Sequence, residues 1–375
     1  MDRAATEPLR PTDPAQVGPY RLLGRLGEGG MGTVFLALAP QDGAAGGDSP
    51  ESRLVAVKVV KPELTAEEGF AARFHAEVTN ARRVASFCTA QVLDNGNTPD
   101  GRPYMVTEYI SGIPLSRQIA EYGPLEAGPL HGMALGVAAA LAAIHAAGLV
   151  HRDLKPSNVI LSLTGPRVID FGIARAVDAT HSFTRSGELL GTPGWWAPEQ
   201  VRGGTVTPAA DVFAWGCLVG YAATGRHPYG RGDPLTLAAR VLNVPPDLGT
   251  LPAPLDELAR QATHLDPEQR PTAQELLLAL VGGAPPAASR APAPAAEEVS
   301  TRKATEILSR LWEPPANVAE QVEQSEQSEP TVLLPVRERP PRPPETFAPP
   351  PPETLAPPQP PETLASPQPP PGEAT

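Results

Sequence analysis

The chain has 375 residues, among them 49 prolines and two cysteines, and its formal net charge is −12. A nucleic-acid-binding protein would carry a strongly basic face, so this acidic balance argues against that class. Two cysteines far apart in the sequence argue against a disulfide framework and favour a reducing compartment. The first residues lack the apolar run of a signal peptide, and the longest apolar run, residues 137–150, is typical of a buried helix. We therefore expect a cytoplasmic protein without a membrane anchor.

The uneven distribution of proline divides the chain. We predict a flexible segment over residues 1–19, a folded domain over residues 20–281 and a proline-rich tail over residues 282–375. The tail contains the near-repeats PETFAPPP, PETLAPPQP and PETLASPQP. It has too little apolar surface to offset chain entropy, so it predicts disorder with polyproline II character. Such a tail could bind a proline-recognising partner or only solvate the protein.

Short extended segments open the folded domain. Residues 20–60 alternate apolar and polar side chains between glycines and predict three antiparallel strands, with a polar surface loop between the second and the third. Residues 65–84 predict a helix with Thr65 as its N-cap. A turn at residues 92–96, followed by a strand over PYMVTEYI, predicts a hairpin.

Helices follow Gly112. Residues 130–147 place apolar side chains at helical spacing, and residues 211–221 are so uniformly apolar that they predict a central buried helix. Two further helices are predicted over residues 255–264 and 273–280. A β-rich lobe followed by a helical lobe is an α+β arrangement, in which ligands favour the crevice between the lobes.

One part of the tail has a helical pattern. Ile307, Leu308, Leu311 and Trp312 share one helical face, and two prolines follow them. A short helix over residues 300–312 is therefore predicted. We favour the simpler interpretation, a transient helix without a dedicated partner.

Two N-terminal motifs suit a bound nucleotide. Gly27, Gly29 and Gly32 would let backbone amides approach phosphate oxygens, and the strand that follows favours a hairpin over a nucleotide rather than a dinucleotide-binding fold. Lys58 interrupts a buried strand, where an ammonium needs an anionic partner. Phosphates and Glu77, in the middle of the predicted helix, would together satisfy it. Taken alone, Glu77 would be a solvated helix residue.

The most specific motif is HRDLKPSN at residues 151–158. Asp153 could accept a hydroxyl proton, Lys155 could neutralise a transferring phosphoryl group, and Asn158 could bind a metal ion. Asp170 opens the tripeptide DFG after an apolar run, a position that suits a magnesium site bridging phosphates. The order of these motifs is far more specific than any one of them.

On these motifs, residues 20–281 resemble a eukaryotic-type (Hanks-type) serine/threonine protein kinase domain, and the bacterial members most of all. The resemblance implies a bilobal protein-kinase fold, ATP as cofactor and Mg²⁺ as its metal ion, with Mn²⁺ as an alternative. It implies protein substrates with serine or threonine acceptors. It also implies that Asp153 is the catalytic base, that Lys155 contacts the γ-phosphate, and that Glu77 orients Lys58 on the α- and β-phosphates.

The same resemblance implies the nucleotide and metal sites. The metal ligands would be Asn158 and Asp170. Backbone groups of a hinge after Thr107, at the gatekeeper position, would bind adenine. The residues implied around the nucleotide are Gly27, Glu28, Gly29, Gly30, Gly32, Val34, Ala56, Lys58, Glu108, Tyr109 and Ile110.

A further group is implied to be structural. The sequence GTPGWWAPE at residues 191–199 resembles the end of an activation segment, although its tryptophan pair replaces a more usual tyrosine-containing sequence. Glu199 is implied to pair with Arg270, and both charges would be largely buried. Asp211 is implied to accept backbone amides of the catalytic loop.

Regulation by phosphorylation is also implied. Arg152 beside the catalytic base would bind a phosphorylated activation segment, and Thr184 and Ser186 are the candidate autophosphorylation sites. Two other classes fit less well. A pseudokinase scaffold, binding partners through its fold and tail, would lack some of the lysine, base and metal residues that are present. A small-molecule kinase would usually lack the APE sequence and the pairing of Glu199 with Arg270.

Overall fold

The computed structural model describes residues 6–40, 54–65, 69–84, 87–170, 193–282, 305–310 and 312–318. The first of its two lobes contains a six-stranded sheet with the order β1-β2-β3-β4-β6-β5, in which all neighbours are antiparallel. The three strands predicted over residues 20–60 are confirmed. The strands of this sheet are β1 (Gln16–Val17), β2 (Tyr20–Glu28), β3 (Gly32–Leu38), β4 (Leu54–Val60), β5 (Val92–Asn97) and β6 (Pro103–Glu108).

Alternation along β4 fixes which side chains reach the cleft. Val55, Val57 and Val59 are buried in a core shared with the neighbouring strands, whereas Ala56 and Lys58 lie on the other face and are only half-buried. Because successive side chains of a strand point to opposite faces, a lysine in this register is directed away from the apolar core.

Two short-range predictions in this lobe are wrong. Thr65 ends a one-turn helix, α1 (Pro62–Thr65), and the longer helix α2 (Phe70–Ala81) begins after Gly69, whose φ of 78° is unfavourable for other residues. Residues 92–96 form the edge strand β5 rather than a turn. Gly96 in that strand makes room for a ring, because a Cβ there would lie 2.6 Å from the Tyr104 hydroxyl.

The second lobe is helical. Strands β7, β8 and β9 form a small sheet in that order, and α4 and α6 cross the core of the lobe. The α+β, bilobal expectation is confirmed. The elements are β7 (Ile113–Pro114), α3 (Leu115–Tyr122), α4 (Ala127–Ala146), β8 (Val159–Ser162), β9 (Gly165–Val168), α5 (Pro198–Val201), α6 (Pro208–Thr224), α7 (Pro234–Asn243), α8 (Leu255–Ala262) and α9 (Ala273–Leu280).

Helices α4 and α6 are apolar around their whole circumference because the lobe surrounds them. Among the described helices, α4 alone is long and apolar enough to cross a membrane, and most of it is buried inside the lobe. The indole of Trp215 in α6 donates to the Ala134 carbonyl of α4 over 2.9 Å. Cys88 and Cys217 are free and buried, as expected, and burial raises the pKa of both thiols to about 12.

Residues 305–310, in the predicted tail, are helical. The prediction of a helix without a partner is wrong for these residues, because Leu308 is 1% exposed and belongs to the core cluster of the helical lobe. The pattern of apolar residues was visible in the sequence, but the surface that it covers was not.

Candidate active site

The glycine-rich hairpin lies between β2 and β3. The amide of Gly29 donates to the Gly32 carbonyl over 2.9 Å and closes the hairpin. Gly32 is required by packing, because a Cβ there would lie 2.2 Å from the Val59 carbonyl. A Cβ at Gly27 or Gly29 would meet no atom within 4 Å, so these positions leave open space beside the backbone.

Two residues of the loop at 151–158 donate hydrogen bonds to Asp153, one to its carboxylate and one to its main-chain carbonyl. Lys155 Nζ donates to Asp153 Oδ2 over 2.9 Å, and Asn158 Nδ2 donates to the Asp153 carbonyl over 2.9 Å. Asn158 ends a 3₁₀ turn (Pro156–Asn158) and is 6% exposed. The loop thus places a carboxylate, a cation and a side-chain amide within one hydrogen-bonded unit.

Asp211 in α6 holds this loop in place through hydrogen bonds to its main chain. Its carboxylate accepts the amides of His151 over 2.7 Å and Arg152 over 2.8 Å, which is the contact implied by the resemblance. The left-handed backbone of Arg152, with φ of 63°, is held in place by these bonds. Burial opposes ionisation of Asp211, but the hydrogen bond from His145, 2.8 Å long, acts together with the neighbouring His151 and its backbone amide to hold the pKa of Asp211 below its usual value.

His145 was not identified as a site residue from the sequence. It is the one polar interruption near the end of the apolar helix α4, and that interruption was the available indication of a buried acidic partner.

The two candidate metal ligands lie side by side. Val159, after Asn158, pairs with Val168 in β9, and the Ile169 amide donates to the Asn158 carbonyl over 2.9 Å. Asp170 therefore follows directly beside Asn158. A carboxylate and an amide oxygen suit a hard divalent cation. Burial opposes ionisation of Asp170, but the charge and hydrogen bond of Lys58, together with the nearby His151 and Lys155, hold the pKa of Asp170 below its usual value.

Lys58 pairs with Asp170 in this structure and not with Glu77. The expected pair of Lys58 and Glu77 is therefore not formed. Glu77 Oε2 is buried and has no hydrogen-bond partner among the described residues. Burial raises the pKa of Glu77 to about 7, and the charge of Arg152 acts in the opposite direction.

The raised pKa of Glu77 predicts a pH-dependent stability. The folded protein holds this proton more tightly than the unfolded chain, so the contribution is fully present below pH 4.5 and is lost as pH rises to about 7. Glu77→Gln removes the titration. We expect its stability advantage over wild type to grow by about 1–2 kcal/mol between pH 5 and pH 8, allowing for partial solvent exposure.

Urea denaturation of both proteins at the two pH values measures this difference. Glu63→Gln, an exposed acidic position in α1, is the matched control and should show no such growth. A constant difference between wild type and Glu77→Gln at both pH values would contradict the assignment.

Arg270 anchors the end of the activation segment. It forms a bidentate ion pair with Glu199 over 2.7 and 2.9 Å, and its side chain is fully buried. The guanidinium also donates to the carbonyls of Ala209, His264 and Leu265. This pair, implied by the resemblance, is present in the structure. Its five hydrogen bonds make it part of the framework of the lobe.

The structure gives fewer contacts for the other residues singled out from the sequence. The gatekeeper Thr107 pairs with Ala56 in the sheet, which brings Glu108 at the end of β6 close to β4. The phosphorylation candidates Thr184 and Ser186 lie outside the described residues. Trp195 packs edge-on against Tyr221 with ring centroids 5.5 Å apart.

Comparison with known proteins agrees with this geometry. A family model described as "Protein kinase domain" matches residues 20–279. The chain is 47% identical over 274 residues to the probable serine/threonine-protein kinase PkwA of Thermomonospora curvata, which covers 73% of this chain and 35% of PkwA. It is 41% identical over 265 residues to the serine/threonine-protein kinase AfsK of Streptomyces coelicolor, covering 70% of this chain and 32% of AfsK. The chain thus spans about a third of the length of these relatives.

A solved structure supports the same assignment. The kinase domain of PknI from Mycobacterium tuberculosis aligns with a TM-score of 0.53 and 26% identity, covering 70% of this chain and 94% of that domain. The ordered motifs, their convergence in the cleft and these matches lead to one conclusion. The chain belongs to the protein kinase family, among the bacterial Hanks-type serine/threonine kinases.

Proposed function

We propose that this chain transfers the γ-phosphate of ATP to serine and threonine hydroxyls of proteins. The observation that supports the proposal most strongly is the hydrogen-bonded unit of Asp153, Lys155 and Asn158. A base, a cation and a metal-binding amide at this spacing are the groups that phosphoryl transfer to a hydroxyl requires.

The residues of the cleft fit a nucleotide with its metal ion. The open space at Gly27 and Gly29 suits phosphate oxygens, and Asn158 and Asp170, whose main chains are brought together by the hydrogen bond from Ile169, would supply oxygen donors for magnesium. When bound, the metal ion would neutralise phosphate charge. Lys58 would exchange its bond with Asp170 for the phosphates.

Three residues of the protein would have separate roles in the transfer of phosphate: Asp153, Lys155 and Asp211. Asp153 would take the proton of the acceptor hydroxyl at Oδ1 or Oδ2, and Lys155, which already donates to Oδ2, would stabilise charge on the transferred group. Asp211 keeps the loop in position through two backbone amides. Serine and threonine acceptors are proposed because Lys155 and Thr192 match the serine/threonine pattern and because PkwA and AfsK are named serine/threonine-protein kinases.

Self-activation is part of the proposal. Phosphorylation of Thr184, with or without Ser186, would add an anion that Arg152 can bind through charge-assisted hydrogen bonds. Such a contact would order the activation segment beside the catalytic loop.

Incubating the protein with magnesium and γ-labelled ATP tests both parts. We expect label on phosphoserine and phosphothreonine, loss of transfer when the metal is chelated, and modification of the peptide that contains Thr184 in mass spectra. Absence of label would overturn the activity. Full activity with that peptide unmodified would overturn self-activation alone.

A further inference from the structure

Residues 305–310 and 312–318, which we call the docked segment, lie against the helical lobe beyond residue 279, where the family match ends. The helix continues into a turn, because the Trp312 amide donates to the Leu308 carbonyl over 2.8 Å. The Val318 amide donates to the Pro315 carbonyl, also over 2.8 Å. The segment therefore has local structure of its own.

Two of its apolar side chains are as deeply buried as the core. Leu308 is 1% exposed and Val318 is 0% exposed, and both belong to the same core cluster as α4. Ile307 and Trp312 pack against this cluster. Full burial of aliphatic side chains is a main source of folding stability, so the segment contributes to the lobe and does not merely touch it.

Trp312 fits a position that the lobe leaves open for it. A Cβ at Gly132 in α4 would lie 2.6 Å from Cε3 of the Trp312 ring. Glycine is unfavourable inside a helix compared with alanine, and at Gly132 the contact with this ring accounts for it. The indole Nε1 donates to the Ser162 carbonyl over 3.0 Å, which gives the buried N–H the partner it needs.

A second polar contact lies at the other end of the segment. Asn317 Nδ2 donates to Oε1 of Gln118 in α3 over 2.6 Å, and Gln118 is only 4% exposed. A buried amide without a partner is costly, so this bond ties the segment to α3 as Trp312 ties it to α4 and β8.

We infer that the docked segment, residues 305–310 and 312–318, binds a groove of its own chain between α3, α4 and the end of β8. Leu308, Trp312 and Val318 are its anchors. The segment extends the folded domain beyond residue 279, where the family match ends. Binding within one chain is favoured over binding between chains, because a linker gives the segment a high effective concentration.

A double-mutant cycle on the full chain tests the inference. Trp312→Ala should lower the thermal midpoint by about 5 °C or more. Gly132→Ala should lower it in the wild-type background, because the new methyl group meets the ring. In the Trp312→Ala background the same substitution should raise the midpoint by about 2 °C, because helix propensity then decides the outcome.

The matched control is Glu313→Ala, next to Trp312 but exposed, which should leave the midpoint unchanged. Equal effects of Gly132→Ala in both backgrounds would overturn the docking. Hydrogen exchange on the wild-type chain needs no variant: slow exchange at the amides of Trp312 and Val318 is expected, and free exchange there would overturn the proposal.

The contact within one chain is tested separately by oligomeric state. A monomer that retains slow exchange in the docked segment supports it. A dimer whose dissociation on dilution abolishes the slow exchange would show that the segment binds a second copy, and would overturn it.

Discussion

Asp153→Asn is expected to lower the rate of phosphate transfer by at least about 100-fold, because an amide cannot take the proton of the acceptor hydroxyl. The change is nearly isosteric, and Asn158 bonds the main-chain carbonyl of residue 153 and not its side chain. The loop should therefore remain in place. Turnover with labelled ATP at saturating magnesium measures the effect, and the thermal midpoint should stay within a few degrees of wild type.

The control for this substitution is Asp256→Asn, an exposed position at the start of α8, which should transfer phosphate at the wild-type rate. Equal transfer by wild type and Asp153→Asn would show that this carboxylate is not the base. The proposed mechanism would then fail even if the protein bound ATP.

Arg270→Ala is expected to lower the free energy of unfolding by about 3–5 kcal/mol, the largest stability effect that we predict. The substitution leaves the Glu199 carboxylate, only 12% exposed, without its cation. It also leaves the carbonyls of Ala209, His264 and Leu265 without this donor. Glu199→Gln should cost less, because the guanidinium keeps its three carbonyl partners.

Urea denaturation gives the free energies, and an exposed ion pair supplies the control. Arg226 and Asp247 are 3.5 Å apart with side chains 73% and 69% exposed, so Arg226→Ala should cost less than about 1 kcal/mol. A loss at Arg270 no larger than at Arg226 would mean that the buried pair does not hold the lobe together.

The residue pattern of a segment predicted its helix or strand correctly where the buried side chains follow that same pattern. Helix α9 (Ala273–Leu280) has the predicted bounds, since Thr272 caps it and Glu275 completes the capping box. The turn predicted at residues 92–96 is wrong because Asn95 and Gly96, although typical of turns, are tolerated in an edge strand. Gly96 is also required there, since the Tyr104 ring occupies the space of a side chain. The need for glycine at this position arises from Tyr104 on the neighbouring strand, so the sequence of residues 92–96 alone cannot reveal it.

The residues of the candidate site and the contacts of Asp211 and Arg270 were predictable, but the partner of Lys58 was not. The motifs identify Lys58, Glu77 and Asp170, but the sequence is the same whether Lys58 bonds one carboxylate or the other. A choice between two arrangements depends on free-energy differences of about a few kcal/mol, which involve contacts from distant parts of the chain such as α2. The motifs identify these three residues, whereas the tertiary structure determines which carboxylate Lys58 contacts.

The docked segment has a consequence for where the domain can be cut. A chain ending at residue 282 would satisfy the family match, yet it would uncover the apolar surface beside Gly132 and leave the Gln118 amide and the Ser162 carbonyl without their partners from the segment. Exposed apolar patches with unpaired polar groups at their edge promote self-association. The shorter chain should therefore be the less soluble one, and its aggregation would reflect the loss of the docked segment rather than a defect in the kinase lobes.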